Sequence, residues 1–246
     1  MLSGIVIAKN EERMIGDCLV SLEFCDEVTL VDSGSTDSTI QIAKEHGARM
    51  VRTAGSDYSQ FRNDGLKAAK GNWVLYLDAD ERITPLLKNE ILKVVHGPDV
   101  VYQIPRQNIY LGREMHYGGW GHDLVIRLFS KKLLKGYSGV LHEQPKFSGD
   151  LRTLSQSMTH FSHRDLSSML EKTLVFTAYE AQLRLKTHHP QVTPWRFVRV
   201  MLTEFYYRFI KLSAWRDGVE GIIDGSFQVF NTFIIYARVW ESQLKT

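Results

Sequence analysis

The sequence predicts an α/β protein built on a mostly parallel sheet and followed by a helical C-terminal region. In the first third of the chain, short β-rich runs alternate with helical segments, which is the pattern of a parallel sheet with crossover helices. Polar clusters follow three of these runs, at residues 9–12, 32–37 and 78–81. Because ligands bind beyond the carboxyl ends of the strands in such sheets, the clusters predict a site at one sheet edge.

The elements of this first half follow one another at regular spacing. The predicted strands are residues 4–8, 27–31, 48–51 and 73–77, and the predicted helices are residues 12–22, 36–45 and 60–69. From about residue 100 the pattern changes to extended segments, at residues 100–105 and 124–129, on either side of a loop rich in glycine and aromatic residues. We expect this first domain to end near residue 160.

The remaining region, residues 161–246, is predicted to be helical. A long helix is expected to begin near Ser162, with Asp165 three residues on as a capping-box partner. Apolar residues at helical spacing predict one buried face, formed by Leu166, Leu170, Leu174, Ala178, Ala181 and Leu185. Residues 195–240 mix Trp, Tyr and Phe with basic side chains, which is typical either of helices at a membrane interface or of a helical pair packed on its own domain.

Composition argues against several classes of protein. The formal net charge of +2 is too small for a nucleic-acid binder, whose basic residues form one strongly charged face. The two cysteines, Cys18 and Cys25, belong to no Cys/His set with metal-ligand spacing and are expected to be small buried thiols. The first apolar run is too short for a signal sequence, and polar residues interrupt the apolar stretch at 227–239, so we expect no transmembrane helix.

The sharpest chemical signal is a pair of carboxylates, Asp78 and Asp80, directly after an apolar strand. Two carboxylates one residue apart in a turn can share a hard cation, and Mg²⁺ or Mn²⁺ accepts carboxylate oxygens together with substrate phosphates. A cation in that place stabilises the charge that develops on a departing diphosphate. An Asp-x-Asp pair is common on protein surfaces, but its position after a buried strand favours a metal site.

Another acidic residue, Asp32, directly follows the second predicted strand. The residues after it, Ser35, Thr36 and Asp37, are of the types that cap the next helix. Asp32 precedes that turn, so capping does not explain it. A carboxylate in this position can accept hydrogen bonds from the N–H of a base or from a ribose hydroxyl, which predicts a contact with a nucleoside.

These two motifs, with the residues that end the first strand, resemble family 2 glycosyltransferases of the GT-A fold. Further short motifs, at residues 60–63, 77–82, 127–129 and 140–143, are similar to the bacterial lipopolysaccharide-core β-1,4-glucosyltransferase branch over essentially the whole chain. The resemblance implies a catalytic domain at 1–160, in which a Rossmann-like nucleotide-sugar-binding half, 1–99, precedes an acceptor half, 100–160. The helical extension at 161–246 would then associate with a membrane.

The resemblance also implies roles for individual residues. Asp32 would contact the uridine, Arg62 the diphosphate side of the donor, Asp78 the ribose or the metal, and Asp80 the metal. The residues of the first strand's end that would line the donor site are Ala8, Asn10 and Glu11. Arg62 is also of a type that could simply be a solvated charge on a helix.

Inversion at the anomeric carbon needs a carboxylate that takes the proton of the attacking acceptor hydroxyl. The Glu-Asp pair that the family commonly supplies is absent, and the nearest equivalent in position is Glu143. Asp123 is the alternative base. His142, beside Glu143, is expected to be a third metal ligand or a diphosphate contact, or merely to bond to the backbone.

We therefore predict an inverting, metal-dependent transferase that moves a hexose, glucose from UDP-glucose, to a hydroxyl of a lipopolysaccharide core or another glycolipid. Such an acceptor predicts a cytoplasmic protein bound peripherally to the inner face of the cytoplasmic membrane. The alternatives are transfer to a polyprenyl phosphate or a protein side chain, and an inactive membrane-associated protein that binds nucleotide sugars. A nucleotidyltransferase is disfavoured, because no glycine-rich phosphate loop follows the first strand.

Overall fold

The computed structural model describes residues 1–53, 57–139, 143–187 and 189–245. The chain divides into two compact units. The first consists of Met1–Gln107 and Asp123–His160, and the second of Asn108–His122 and Phe161–Thr246. The loop around residues 108–122 therefore groups with the C-terminal helices, although it lies within the segment that the sequence predicts as an acceptor half.

The strands confirm the mostly parallel α/β architecture. In the first unit, β1 pairs in parallel with β2 and β4, β2 pairs in parallel with β3, and β8 joins β4 and β6 in antiparallel fashion. The strands in chain order are β1 (Leu2–Ala8), β2 (Glu27–Asp32), β3 (Arg49–Arg52), β4 (Trp73–Asp78), β5 (Glu81–Arg82), β6 (Val101–Tyr110), β7 (Arg113–Glu114), β8 (Leu124–Ser130), β9 (Leu134–Ser138), β10 (Gln144–Phe147), β11 (Leu151–Thr153) and β12 (Met158–His163). The central strands β1 and β4 are buried almost throughout, as strands of a parallel sheet covered on both faces must be.

The helices of the first unit are α1 (Ile15–Ser21), α2 (Thr39–Glu45), α3 (Tyr58–Ala68) and α4 (Pro85–Val94). Asp57 caps α3 by accepting a hydrogen bond from the Gln60 N–H, and Thr84 caps α4 in the same way. Helices α1 and α2 begin three residues later than the sequence predicts. The reason is that residues 10–12 and 35–39 hydrogen-bond to each other across the two loops.

Gly65 lets α3 pack directly on the sheet. A β-carbon at this position would lie 2.5 Å from Ile5 Cγ2 and 3.2 Å from Val31 Cγ2, both in buried strands. We expect Gly65→Ala to lower the free energy of unfolding by about 1–3 kcal/mol through overpacking. The matched control is Gly16→Ala in α1, where the nearest atoms lie at 3.6 Å and helix propensity gains up to about 1 kcal/mol. Urea unfolding measures both, and equal effects would contradict the close approach.

The second unit contains the C-terminal helices that the sequence predicts. They are α5 (Leu166–Lys186), α6 (Pro194–Phe205) and α7 (Gly218–Gln243), with a π-helical turn at Tyr206–Lys211 and a 3₁₀ turn at Ala214–Asp217 between the last two. Within the described stretches, no helix has both the length and the apolarity needed to cross a bilayer.

Two expectations for α5 are wrong. Ser162 lies in β12, and the helix begins only after Asp165, which is itself the N-cap and accepts a hydrogen bond from the Ser168 N–H. The expected apolar face is wrong in its first half, because Leu166, Leu170 and Leu174 are exposed, whereas Ala181 is buried and Leu185 packs beside it as predicted. The buried face consists of Met169, Thr173, Thr177 and Ala181.

Small and polar residues make up that buried face because it packs closely on α7. The Thr173 hydroxyl donates to Asn231 Oδ1 at 2.9 Å, and the Thr177 hydroxyl bonds back to the Thr173 carbonyl. Hydrogen bonds of this kind satisfy polar groups that burial would otherwise penalise. Leu166, Leu170 and Leu174 are thereby left on the solvent side.

Buried acids hold the 108–122 loop within the second unit. Asp217 accepts hydrogen bonds from the N–H groups of His116 and Tyr117, at 3.0 and 2.7 Å. Asp224 accepts one from the Trp120 indole at 2.9 Å, and burial raises the pKa of the Asp224 carboxyl. The loop is thus fixed by side chains of the α7 region in addition to its own short strand pairing.

Candidate active site

Three strands of the first unit end at the same level, and two of them end in an aspartate. Ala8 of β1 lies opposite Asp32 of β2, and Ile7 lies opposite Asp78 of β4. The two aspartates therefore flank the carboxyl end of the central strand. This is the edge at which parallel α/β sheets bind their ligands.

The loops that follow β1 and β2 are joined by hydrogen bonds. Asn10, with a positive φ of 56°, accepts a bond from the Thr36 N–H at 2.8 Å and donates its own N–H to Ser35 Oγ at 2.9 Å. The Glu11 N–H donates to Thr39 Oγ1 at 2.8 Å. The predicted donor-binding residues Asn10 and Glu11 thus belong to one ordered double loop.

Asp32 is nearly buried at the base of this double loop. Its carboxylate accepts hydrogen bonds from the N–H groups of Gly34 and Ser35, at 3.0 and 3.2 Å. These bonds form a turn that fixes the direction of the carboxylate. A carboxylate has about four lone-pair sites, so it keeps acceptor capacity for a ligand.

Asp78 forms the centre of a charged network. Its Oδ1 accepts a hydrogen bond from Arg62 Nη2 of α3 at 3.1 Å, and its Oδ2 accepts one from Arg127 Nη2 of β8. Burial opposes the ionisation of Asp78. The positive charges of Arg127 and Arg62 outweigh burial and hold the pKa of the carboxyl well below its usual range. Asp78 is therefore ionised at neutral pH and fixes two buried arginines.

The network continues through Glu81 and Arg106. Glu81, which is fully buried, accepts hydrogen bonds from Arg127 Nη2 at 2.8 Å and from Arg106 Nη1 at 3.1 Å. Arg106 also pairs with Asp123 at 2.7 Å. Asp123, the alternative base, thus belongs to a chain of alternating charges.

Arg62 connects this network to Glu143. The Arg62 Nε donates to Glu143 Oε1 at 2.9 Å, while the guanidinium lies over the rings of Tyr76 and Tyr137 at 5.7 and 5.5 Å. The Tyr76 hydroxyl donates to the Arg62 carbonyl at 2.9 Å. Arg62 is consequently a buried, oriented cation and not a solvated helix charge.

Arg62 and Arg127 each keep one nitrogen without a partner among the described residues. These atoms are Arg62 Nη1 and Arg127 Nε, and both are buried. An unpaired buried donor on a guanidinium is costly unless an acceptor reaches it. Phosphate oxygens are the acceptors that arginine binds with the best geometry. The pair of arginines therefore fits the diphosphate of a nucleotide.

Asp80, the second acid of the pair, faces His160. The antiparallel pairing of β5 with β12 places His160 opposite Glu81, and His160 Nε2 lies 3.7 Å from Asp80 Oδ2. Both side chains are partly exposed. Within the described ranges, no set of three His, Cys, Asp or Glu side chains is arranged to hold a metal. His142 lies outside the described residues.

The Asp80 carboxylate is an oxygen donor of the type that Mg²⁺ and Mn²⁺ prefer, and the His160 imidazole is a nitrogen donor of the type that transition metals such as Mn²⁺ accept. Mg²⁺ is usually bound by only one or two carboxylates, together with substrate phosphates. Asp80 and His160 therefore fit a divalent cation that completes its coordination on a nucleotide.

Sequence reasoning missed Arg127, Glu81, Arg106 and His160 as site residues. A usable signal existed for Arg127, because it is a lone charge at an inward position of the apolar strand Leu124–Ser130. No such signal existed for His160, since its proximity to Asp80 depends on the pairing of strands that are far apart in sequence.

Comparison with known proteins agrees with this geometry. The fold is that of a GT-A glycosyltransferase, and the chain belongs to the family described as Glycosyl transferase family 2, whose profile matches residues 3–156. The resemblance inferred from the motifs is thus confirmed at the level of the family.

Relatives match along nearly the whole chain. An uncharacterized glycosyltransferase of Rickettsia felis is 25% identical over 100% of this chain and 91% of its own. The lipopolysaccharide core biosynthesis glycosyltransferase LpsC of Rhizobium meliloti is 23% identical over 98% of this chain and 92% of its own. The solved glucosyl-3-phosphoglycerate synthase of Mycobacterium tuberculosis has a TM-score of 0.50 and 18% identity, over 69% of this chain and 74% of its own, which shows the shared fold.

Proposed function

We propose that the protein is an inverting, metal-dependent hexosyltransferase that takes glucose from UDP-glucose and places it on a hydroxyl of a lipopolysaccharide core or a similar glycolipid. The observation that carries the proposal is the buried pair Arg62 and Arg127, each with an unpaired nitrogen, at the edge where Asp32 and Asp78 end their strands. A nucleoside diphosphate offers oxygens to the arginines and a base and ribose to the carboxylates.

The donor would lie along the carboxyl ends of β2, β1 and β4. Ala8, Asn10 and Glu11 would line its nucleoside end, and Asp32 would accept hydrogen bonds from the uracil or the ribose. Asp78 already holds two arginines with its two oxygens, which favours a positioning or ribose role for it over direct metal binding. Arg62 would contact the diphosphate.

Asp80 and His160 would hold the divalent cation, with His142 as a candidate third ligand. When bound, Mg²⁺ or Mn²⁺ supplies Lewis-acid neutralisation of the charge that grows on the departing diphosphate. The two buried arginines add fixed positive charge near that position and need no reorganisation during the reaction.

Glu143 would act as the general base. Its carboxylate contacts Nε of Arg62, the guanidinium that would contact the diphosphate. One network would therefore hold both the base for the attacking hydroxyl and a cation for the leaving group. A carboxylate beside the acceptor hydroxyl takes its proton as the oxygen attacks the anomeric carbon. Asp123 remains the alternative, although its contact is with Arg106 and not with Arg62.

The acceptor class rests on the similarity to LpsC, which is named for lipopolysaccharide core biosynthesis and matches along nearly its full length. An acceptor of that kind has its lipid in the bilayer. We accordingly place the enzyme at the inner face of the cytoplasmic membrane, as a peripheral protein.

The metal assignment has a direct test by thermal unfolding with Mn²⁺ and UDP. A ligand that binds only the folded state stabilises it, by about 2.7 kcal/mol at one hundred times its Kd. We expect UDP with Mn²⁺ to raise the melting temperature more than UDP alone, and the metal-dependent part to disappear in Asp80→Asn and in His160→Asn. Asp150→Asn, at an exposed acid, is the control that keeps it. A full metal-dependent shift in Asp80→Asn would contradict the assignment.

A further inference from the structure

The helix α6 presents an apolar stripe to solvent. Its exposed side chains Trp195, Val198, Leu202 and Phe205 recur at spacings of three and four residues, which places them on one face. Trp195 is 69% exposed and Leu202 is 61% exposed, and no residue of α6 is buried. The stripe continues into the π-helical turn with the exposed Tyr206 and Ile210.

Another side of α6 packs on the other helices of the second unit. Phe197 joins the cluster formed by Ala181, Val192 and Val239, and its ring lies 5.9 Å from that of Phe233 in α7. The apolar stripe is therefore a second face that the helix does not need for its own packing. An ordinary amphipathic helix buries its apolar side and exposes polar residues, whereas α6 carries large apolar residues on its outer face.

The charges of the segment that carries the stripe are mostly positive. Residues 194–216 contain five basic residues and one acidic residue, Glu204. Glu204 is paired with Arg208 at 2.7 Å, so its charge is already balanced. Arg199, Lys211 and Arg216 are exposed. A stripe of Trp, Leu and Phe flanked by unopposed Arg and Lys matches a bilayer surface that contains anionic lipids.

We propose that the outer face of α6 and the following turn, from Trp195 to Ile210, is the surface by which the protein binds an anionic membrane. The helix would lie in the plane of the interface, with the apolar stripe among the acyl chains and the basic side chains at the headgroups. The proposal extends the proposed function, because a lipid-linked acceptor must be reached at the membrane surface. It names the contact residues and the lipid charge that the function alone does not specify.

The test is flotation of the full-length protein with vesicles of phosphatidylcholine, with and without phosphatidylglycerol. We expect binding to the anionic vesicles, weaker binding to neutral ones, and weakening by added salt. Leu202→Glu should reduce binding by about tenfold or more, equivalent to about 1.4 kcal/mol. Leu86→Glu, at a 65% exposed leucine of the first unit, should leave binding unchanged.

The charge contribution is tested separately. Lys211→Glu should weaken binding to anionic vesicles and leave the weak binding to neutral vesicles unaltered, whereas Lys93→Glu on the exposed side of α4 should change neither. Equal loss in Leu202→Glu and Leu86→Glu, or no vesicle binding by the wild type, would overturn the proposal. Self-association of the wild type that disappears in Leu202→Glu would instead assign the stripe to a second copy of the chain.

Vesicle binding is read without any nucleotide or acceptor. Failure of the glycosyltransferase assignment would therefore leave this result intact. Conversely, binding of UDP with Mn²⁺ by Leu202→Glu, measured by thermal unfolding, shows that a variant which no longer binds vesicles is still folded.

Discussion

Glu143→Gln is expected to lower the turnover number for hexose transfer by about 10²–10⁴-fold, the range that loss of a general base produces. The amide keeps the shape of the side chain and an oxygen that can accept the bond from Arg62 Nε. It cannot take a proton from the acceptor hydroxyl. Donor affinity should therefore stay close to that of the wild type, and steady-state kinetics with separate donor-binding measurements will show this.

Asp123→Asn is the matched variant for the alternative base. It removes one charge from the pair with Arg106 and leaves Glu143 and its contact with Arg62 in place. We expect turnover to fall far less than in Glu143→Gln. The reverse order, with Asp123→Asn inactive and Glu143→Gln active, would transfer the base role to Asp123.

Arg127→Met is expected to lower the free energy of unfolding by about 3–5 kcal/mol, the usual effect of breaking a buried ion pair from one side. The guanidinium bridges Asp78 and Glu81, and Glu81 has no exposure to solvent. Removing the guanidinium leaves the carboxylates of Asp78 and Glu81 with less positive charge to balance them. Urea unfolding measures the change, and Arg152→Met at an exposed pair serves as the control, with an effect of about 1 kcal/mol or less.

The same variant should show a characteristic dependence on pH. The positive charges hold the pKa of Asp78 in the folded protein below its value in the unfolded chain, so its contribution to stability is present above about pH 4 and is lost as the pH falls towards the folded-state pKa. The difference in unfolding free energy between wild type and Arg127→Met should thus be constant near neutrality and shrink on acidification below about pH 4. A difference that grows on acidification would contradict the role of Asp78.

The parallel sheet of the first unit could be predicted from sequence because its signals are local. The alternation of apolar runs with helices leads to β1, β2, β3 and β4 within two residues of their observed ends. Asp32, Asp78 and Asp80 could be selected for the same reason, since each directly follows one of these strands.

The electrostatic network could not be predicted, because it depends on contacts between distant elements. Arg62 comes from α3, Arg127 from β8 and Glu143 from the residue before β10. Only the packed sheet brings the two arginines to Asp78 and Glu143 to Arg62. The prediction of the buried face of α5 was wrong at its exposed leucines for a related reason. Periodicity shows where apolar residues gather on a helix, but it does not show whether that face turns inward, and here Thr173 and Thr177 take the buried side.

The proposed function requires that this chain binds and uses a nucleoside-diphosphate sugar. The most direct measurement is hydrolysis and transfer from a panel of UDP-, GDP- and CDP-sugars with Mn²⁺ or Mg²⁺, followed by mass spectrometry of the released nucleotide and the glycosylated glycolipid. We predict that UDP-glucose is consumed, that consumption requires the metal, and that Glu143→Gln binds this donor without turning it over. Binding of none of the sugars by the wild-type protein would contradict the account.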